Sequence, residues 1–272
     1  MKNLMLLSAA LVLTSNIFAS TPLECFDIRE GILVKYLCAE KYKEVEIPEG
    51  VTEIGGGAFY SKRVSLRNRM GEPELTPIYE RINSVTIPGS VTKIGVGAFE
   101  GNQLSSVEIP DSVTTIGRMA FKGNQLTSVV IPEGVEEIAP EAFASNKLTS
   151  VVIPKSVTAI RYWAFANNQL TFLVIPDSVT MIGGGAFFGN QLSSVTVPEG
   201  VRVINDRAFQ NNNLRSIEIP DSVTEIGARA FMDNLLTSVS IPSCNISSSW
   251  AFDMGVKRVS RKLRILRGCR NR

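Results

Sequence analysis

Apolar positions along this chain fall on a fixed grid. In the stretch Leu104–Gln125, LSSVEIPDSVTTIGRMAFKGNQ, they are Leu104, Val107, Ile109, Val113, Ile116, Ala120 and Phe121, and the same spacing returns every 22 residues. The Ile-Pro pair at 109–110 recurs at Ile131, Ile153, Ile175, Val197, Ile219 and Ile241, each followed by Pro. Upstream it stands at Ile87-Pro88 and, out of step, at Ile47-Pro48. A fixed period of about 20–50 residues marks a solenoid, in which each repeat stacks on the next. Within the unit, Val107, Glu108 and Ile109 alternate in, out, in, which predicts a short strand. Pro110 ends it by removing a backbone donor, and Asp111-Ser112 predict a turn. Val113, Ile116, Ala120 and Phe121 are then expected inward along the return path. The Gly after Ile116 recurs at 55, 95, 183 and 227, but Ala139, Arg161 and Asn205 replace it elsewhere, so a positive φ is not obligatory there.

The ends and one interruption depart from the grid. Residues 21–46 precede the repeats. Phe26, Ile28, Ile32, Val34, Tyr36 and Val45 alternate with charged residues around Glu30-Gly31, which predicts a hairpin capping the first coil. Repeats occupy 47–252. Between the Ala-Phe at 58–59 and the next at 98–99 lie 40 residues instead of 22, and Gly71, Pro73 and Pro77 read the excess, about 61–81, as an inserted loop. Residues 253–272 form a basic C-terminal cap, with Leu263, Arg264 and Ile265 as its expected strand.

An Asn column, Asn102, Asn124, Asn146, Asn168, Asn190, Asn212 and Asn234, runs through every regular coil. A buried Asn at a turn must be paired, so the column is read as a structural ladder that satisfies backbone groups. The N-terminus carries Lys2, an apolar run Leu4–Leu13 and small residues near Ala19 and Ser20, so residues 1–20 are expected to be a secretory signal peptide. That run is too short for a span of about 20 residues, and no other segment is apolar enough. Four cysteines lie at the two ends. In an exported chain they predict disulfides, and the length of the solenoid allows only Cys25–Cys38 and Cys244–Cys269.

Composition narrows the chemistry. The chain has no histidine, which removes the commonest general base and the commonest zinc ligand. The acids Glu49, Asp111, Glu133, Asp177, Glu199 and Asp221 fill one turn position per coil, which reads as solvated turn chemistry instead of a catalytic pair. The Gly55–Gly57 and Gly183–Gly185 triplets lack phosphate-loop spacing. Asn245-Ile246-Ser247 is a glycosylation sequon only in a eukaryotic secretory route. No enzyme, cofactor or metal site is expected. Residues 256–272 hold eight bases and no acid, so the body is acidic and one end cationic. The alternating Arg are read as protection of a sheet edge, not as a nucleic-acid site.

Binding remains, and the outward strand positions are where to look. One outward column runs Glu46, Thr86, Glu108, Val130, Val152, Val174, Thr196, Glu218, Ser240. Its neighbour runs Ser84, Ser106, Ser128, Ser150, Phe172, Ser194, Ser216, Ser238. Val130, Val152, Phe172 and Val174 thus meet mid-face, flanked by Glu108 and Glu218, as an apolar patch with a polar rim. Valine is a good strand former, which accounts for three of these but not for Phe172 among serines. Tyr162 and Trp163, expected on the return side, are a second patch or local packing.

The unit L-x-S-V-x-I-P-x-S-V-T-x-I-G-x-x-A-F-x-x-N, as in Leu126, Val129, Ile131-Pro132, Val135, Ile138 and Ala142-Phe143, resembles the BspA-like leucine-rich repeats of bacterial surface proteins over about residues 45–252. The period here is 22 where that family more often has 23, and Asn stands where many members have Cys. The resemblance implies a right-handed α/β-type leucine-rich-repeat solenoid, with a parallel sheet on one face and turns and short helical segments on the other. It also implies a secreted, periplasmic or cell-surface protein that binds a protein or cell-surface ligand and takes part in adhesion. The alternative is a rigid spacer in the cell envelope.

Overall fold

The computed structural model describes residues 21–60, 66–67, 73–74, 81–241, 251 and 264–267. The expected signal peptide, Cys244, Cys269 and most of the basic tail lie outside the described residues. The chain is a parallel-strand solenoid. Each coil places up to two short strands on successive sides. On the front, Glu44–Glu46 pairs with Ser84–Thr86, Ser128–Val130 with Ser150–Val152, and Ser216–Glu218 with Ser238–Ile241, all parallel. Arg264–Arg267 adds a further parallel strand to the last of these. On the adjoining side, Glu53–Ile54, Lys93–Ile94 and Thr115–Ile116 form one run. Glu137–Ile138, Ala159–Ile160, Met181–Ile182, Val203–Ile204 and Glu225–Ile226 form another.

The inward residues of the repeat make one continuous core. Phe99, Phe121, Phe143, Phe165, Phe187 and Phe209 are fully buried and stack ring on ring at 5.3–5.6 Å. Large apolar side chains at Leu104, Val113 and Ile116 and their copies fill the rest. Phe59 stacks on Phe99 at 4.9 Å, and its amide donates to the Ala98 carbonyl at 2.8 Å. The coils on either side of the insertion are therefore direct neighbours. The insertion itself contributes a two-stranded antiparallel pair, Leu66–Arg67 with Pro73–Glu74.

The return path is not helical. Among the described residues the only helix is a single 3-10 turn, Leu23–Cys25, which corrects the expected helical segments. The cause is two left-handed residues per coil. Met119, Glu141, Trp163, Arg207 and Arg229 have φ of 55–59°, and Gly57, Gly97 and Gly185 take the same place. A second such position precedes each ladder Asn, at Gly101, Gly123, Ser145, Asn167, Gly189, Asn211 and Asp233. A right-handed helix cannot run through them. Amides instead alternate. Ala120 and Lys122 donate three residues back, to Gly117 and Met119, while Met119, Phe121 and Gly123 donate to Pro140, Ala142 and Ala144 of the next coil. This makes a third ladder along the back.

At the N-terminal edge, Phe26–Arg29 and Ile32–Tyr36 form an antiparallel hairpin turning at Glu30 and Gly31, both with positive φ. Ile32–Tyr36 pairs parallel to Glu53–Ile54. Phe26, Tyr36 and Phe59 continue the aromatic row at 5.3 and 5.1 Å, with their rings tilted by 42° and 32°. The Cys25–Cys38 disulfide closes this hairpin, with Cα atoms 5.1 Å apart across 13 residues. Constraining a loop of that size contributes about 3 kcal/mol. Reduction, or Cys25→Ala with Cys38→Ala, should lower the unfolding free energy by that amount, read as a lower urea midpoint, with the loss appearing first as hydrogen exchange in residues 26–36.

Candidate binding surface

The front of the solenoid is built by alternation. At each front position the central residue points into the core, as Val129 and Leu173 do, and its two neighbours point out. In parallel register Ser128 faces Ser150 and Val130 faces Val152. Val130, Val152, Phe172 and Val174 expose 64%, 57%, 64% and 61% of their surface. Val152 and Phe172 lie on neighbouring coils, because the Phe165 and Phe187 rings of those coils stack at 5.6 Å. Glu108 and Glu218 are exposed on the same column to either side, Ser106, Ser128, Ser150, Ser194 and Ser216 are exposed around Phe172, and Ser238 is half-buried. The patch is therefore a contiguous apolar strip in a hydroxyl-rich sheet. The segments 106–108, 172–174 and 194–196 lie on the front without forming ladder pairs, a feature absent from the sequence expectation.

Tyr162 and Trp163 lie on the back. Tyr162 is exposed beneath the Arg118 guanidinium, 6.0 Å from its ring centre. Trp163 is half-buried, 5.1 Å from the Phe188 ring, and its indole covers Gly185, where a Cβ would come within 2.9 Å of the ring. These two aromatics are thus separate from the front patch, and the bare Gly185 backbone leaves room for the indole.

The Asn column is buried at Asn102 to Asn212 and partly buried at Asn234. Each side chain makes the same bonds. Asn146 accepts from the Leu126 amide at 3.1 Å and donates to the carbonyls of Phe121 and Phe143 at 2.9 and 3.1 Å. Nothing is left over for a ligand. Among the described residues no three acidic or cysteine side chains converge as metal ligands, and no helix is long and apolar enough to cross a membrane.

One cluster escaped the sequence reading. Glu141, at a left-handed position on the back, takes Arg118 at 3.1 Å and Lys122 at 2.5 Å, both from the preceding coil. Burial pushes the Glu141 carboxyl up, but Lys122 and then Arg118 outweigh it and hold the carboxyl below its ordinary value. Only a column-by-column comparison of the return path would have found it, since the three residues fall at different repeat positions.

The description "BspA type Leucine rich repeat region" matches residues 1–82, 78–192 and 180–255, in 6 copies. The chain belongs to the BspA-type leucine-rich-repeat family. Members of this family are typically binding proteins, and no finding assigns the chain a catalytic role. Among solved structures, a leucine-rich repeat protein from Bacteroides ovatus is 28% identical, with a TM-score of 0.63 over 79% of this chain and 54% of that one. The pneumococcal vaccine antigen PcpA is 21% identical, with a TM-score of 0.54 over 79% of this chain and 61% of that one, and shows the fold alone. The BspA-type chain thus spans little more than half the length of these two proteins. No match was found among curated proteins.

Proposed function

We propose that this BspA-type chain is an exported, non-catalytic binding protein that holds a protein partner, at a cell surface or in adhesion, against its front strand face. The observation that carries this reading is the exposed strip Val130, Val152, Phe172 and Val174 in columns otherwise of Ser, Thr and Glu. Each of these side chains contributes about 1.5–3 kcal/mol when a partner removes it from water. Phe172 supplies the rigid aromatic anchor typical of a hot spot, and the serines around it form a rim that excludes water. Export is supported by the apolar N-terminal run and by the Cys25–Cys38 disulfide, which belongs to an oxidising compartment.

The test is affinity capture of surface proteins with the native chain, with Phe172→Asp/Val152→Asp, and with Tyr162→Asp as a back-face control. A partner of the front face is lost at least about 30-fold with the double variant, the equivalent of about 2 kcal/mol, and kept with the control. Capture that survives the double variant at unchanged circular dichroism overturns the reading. Capture that instead depends on residues 61–81 or 253–272 favours the rigid-spacer alternative.

A further inference from the structure

The junction between the coil ending at Gln125 and the coil beginning at Leu126 differs from its neighbours. On the side sheet, the residue after the inward Ile donates to the Ile carbonyl one coil back: Gly95 to Ile54, Gly117 to Ile94, Arg161 to Ile138, Gly183 to Ile160, Asn205 to Ile182 and Gly227 to Ile204, at 2.7–3.0 Å. The series skips Ala139 and Ile116. A second series, Thr92 to Thr52, Thr114 to Thr92, Thr158 to Glu136, Thr180 to Thr158, Arg202 to Thr180 and Thr224 to Arg202, skips Glu136 and Thr114. The side sheet divides there into its two runs. The front ladder is also absent between 106–108 and 128–130. Among the described residues this is the one junction at which both ladders are missing. A cleft of about 580 Å³, lined by Thr114, Ile116, Glu136 and Ala139 among others, opens in their place.

The sequence supplies the cause. Where four of the eight coils read Ser-Val-Thr-x-Ile-Gly, this one reads Gly134-Val-Glu136-Glu-Ile-Ala139-Pro140. Gly134 removes the serine hydroxyl that at Ser90, Ser112, Ser156 and Ser178 bonds the valine carbonyl one coil back, as Ser156 does to Val135 at 2.7 Å. Glu136 removes the threonine hydroxyl bond, as Thr158 makes to the Glu136 carbonyl at 3.3 Å. A control lies in the same chain. Gly200-Val-Arg202-Val-Ile-Asn205-Asp206 carries the same losses, yet the Arg202 and Asn205 amides are bonded at 2.9 Å. Two differences remain: Asn205 adds a side-chain bond to the Ile182 carbonyl at 3.0 Å, which Ala139 cannot make, and Pro140 stands where that coil has Asp206, restricting the backbone of the residue before it. Arg161, bound to Glu137 at 2.6 Å, further ties the far wall to the following coil.

What crosses the junction is the start of the front segment, where the Gln125 and Thr127 amides bond the Leu104 and Ser105 carbonyls at 2.9 and 3.3 Å, the Asn146 bond to the Phe121 carbonyl at 2.9 Å, and the back. The Phe121 and Phe143 rings stay 5.5 Å apart, and Met119, Phe121 and Gly123 keep their bonds to the next coil. Over them sits the Glu141 carboxylate with Arg118 and Lys122. We infer that this junction is a bending joint, opened on the front and side by Ala139-Pro140 and held on the back by the Arg118–Glu141–Lys122 ion triad. It divides the solenoid into two stiff blocks. Glu108 belongs to the first block and Val130, Val152, Phe172 and Val174 to the second, so bending changes the shape of the strand face beside the patch. The joint does not depend on the patch being a binding site.

Residue-resolved hydrogen exchange on the folded chain tests this. With Glu141→Gln, the amides of Met119, Phe121 and Gly123 should exchange about tenfold faster. Phe143 and Ser145, which cross the next junction, should not change. Equal acceleration at both junctions, or none at either, overturns the joint. Pro140→Asp, copying the control coil, should bring Glu136 and Ala139 to the protection of Thr158 and Arg161, and should make Glu141→Gln silent at Met119. Unprotected Glu136 and Ala139 amides in that variant overturn the role given to Pro140.

Discussion

Phe165→Ala is expected to destabilise the solenoid by about 3–5 kcal/mol, read as a lower urea midpoint. The ring is fully buried and stacked on Phe143 and Phe187, each at 5.6 Å and 7° from parallel. Removing it creates a cavity that the neighbouring coils cannot fill, because the ladders on the back fix their spacing. In a solenoid each coil touches only its neighbours, so one lost ring weakens two interfaces at once. The transition should broaden as the halves on either side of coil 148–169 uncouple. A loss below about 1 kcal/mol would show that the neighbouring coils close over the cavity.

Asn168→Ala is expected to cost about 3–5 kcal/mol, far more than the ordinary value of one side chain. The amide group donates to the Phe143 and Phe165 carbonyls at 2.9 and 3.0 Å and accepts from the Leu148 amide at 3.0 Å. Truncation leaves the buried Leu148 amide without a partner, at about 1–3 kcal/mol, and takes one of two donors from each carbonyl, at about 0.5–1.5 kcal/mol per bond, since Asn146 still bonds Phe143 and Asn190 still bonds Phe165. Asn168→Asp should be no better at neutral pH. A carboxylate accepts from Leu148 but faces two carbonyl oxygens it cannot bond, and its charge is buried. Lowering the pH should recover part of the loss in the Asp variant, because the protonated acid regains one donor. If Asn168→Ala costs under about 1 kcal/mol, the ladder is not what closes the turn.

The 22-residue grid made the stacking, the core positions and the outward columns legible, because each follows from alternation around Val107 or from a fixed spacing of Ile, Phe and Asn. Phe172 stood out for the same reason, as one aromatic in a column of serines. The second strand of each coil was less visible. Thr115–Ile116 is two residues long, too short for any period to register. The expected helical turns failed because left-handed backbone at Met119, Glu141 or Trp163 carries no residue signature; side chains that large are not chosen for that conformation. Where the front ladder pairs was also hidden. Ser106-Val107-Glu108 is unpaired and Ser128-Val129-Val130 paired, although the two segments differ only at their last residue. Pairing there is decided between coils, not within one. The Glu141 triad is of the same kind.

The alternation of amides on the return path sets how such a chain grows. Every second amide is committed to its own turn and the one between to the next coil, so a single inserted or deleted residue there would put the back ladder, the Phe stack and the Asn ladder out of step together. Length can then change only in whole units of 22, the natural product of unequal exchange between near-identical stretches of gene. A different length is tolerated only where the ladders have already closed, and the extra residues after Phe59 and Tyr60 are placed there. Number of coils, not length of coil, is the variable that mutation is free to adjust.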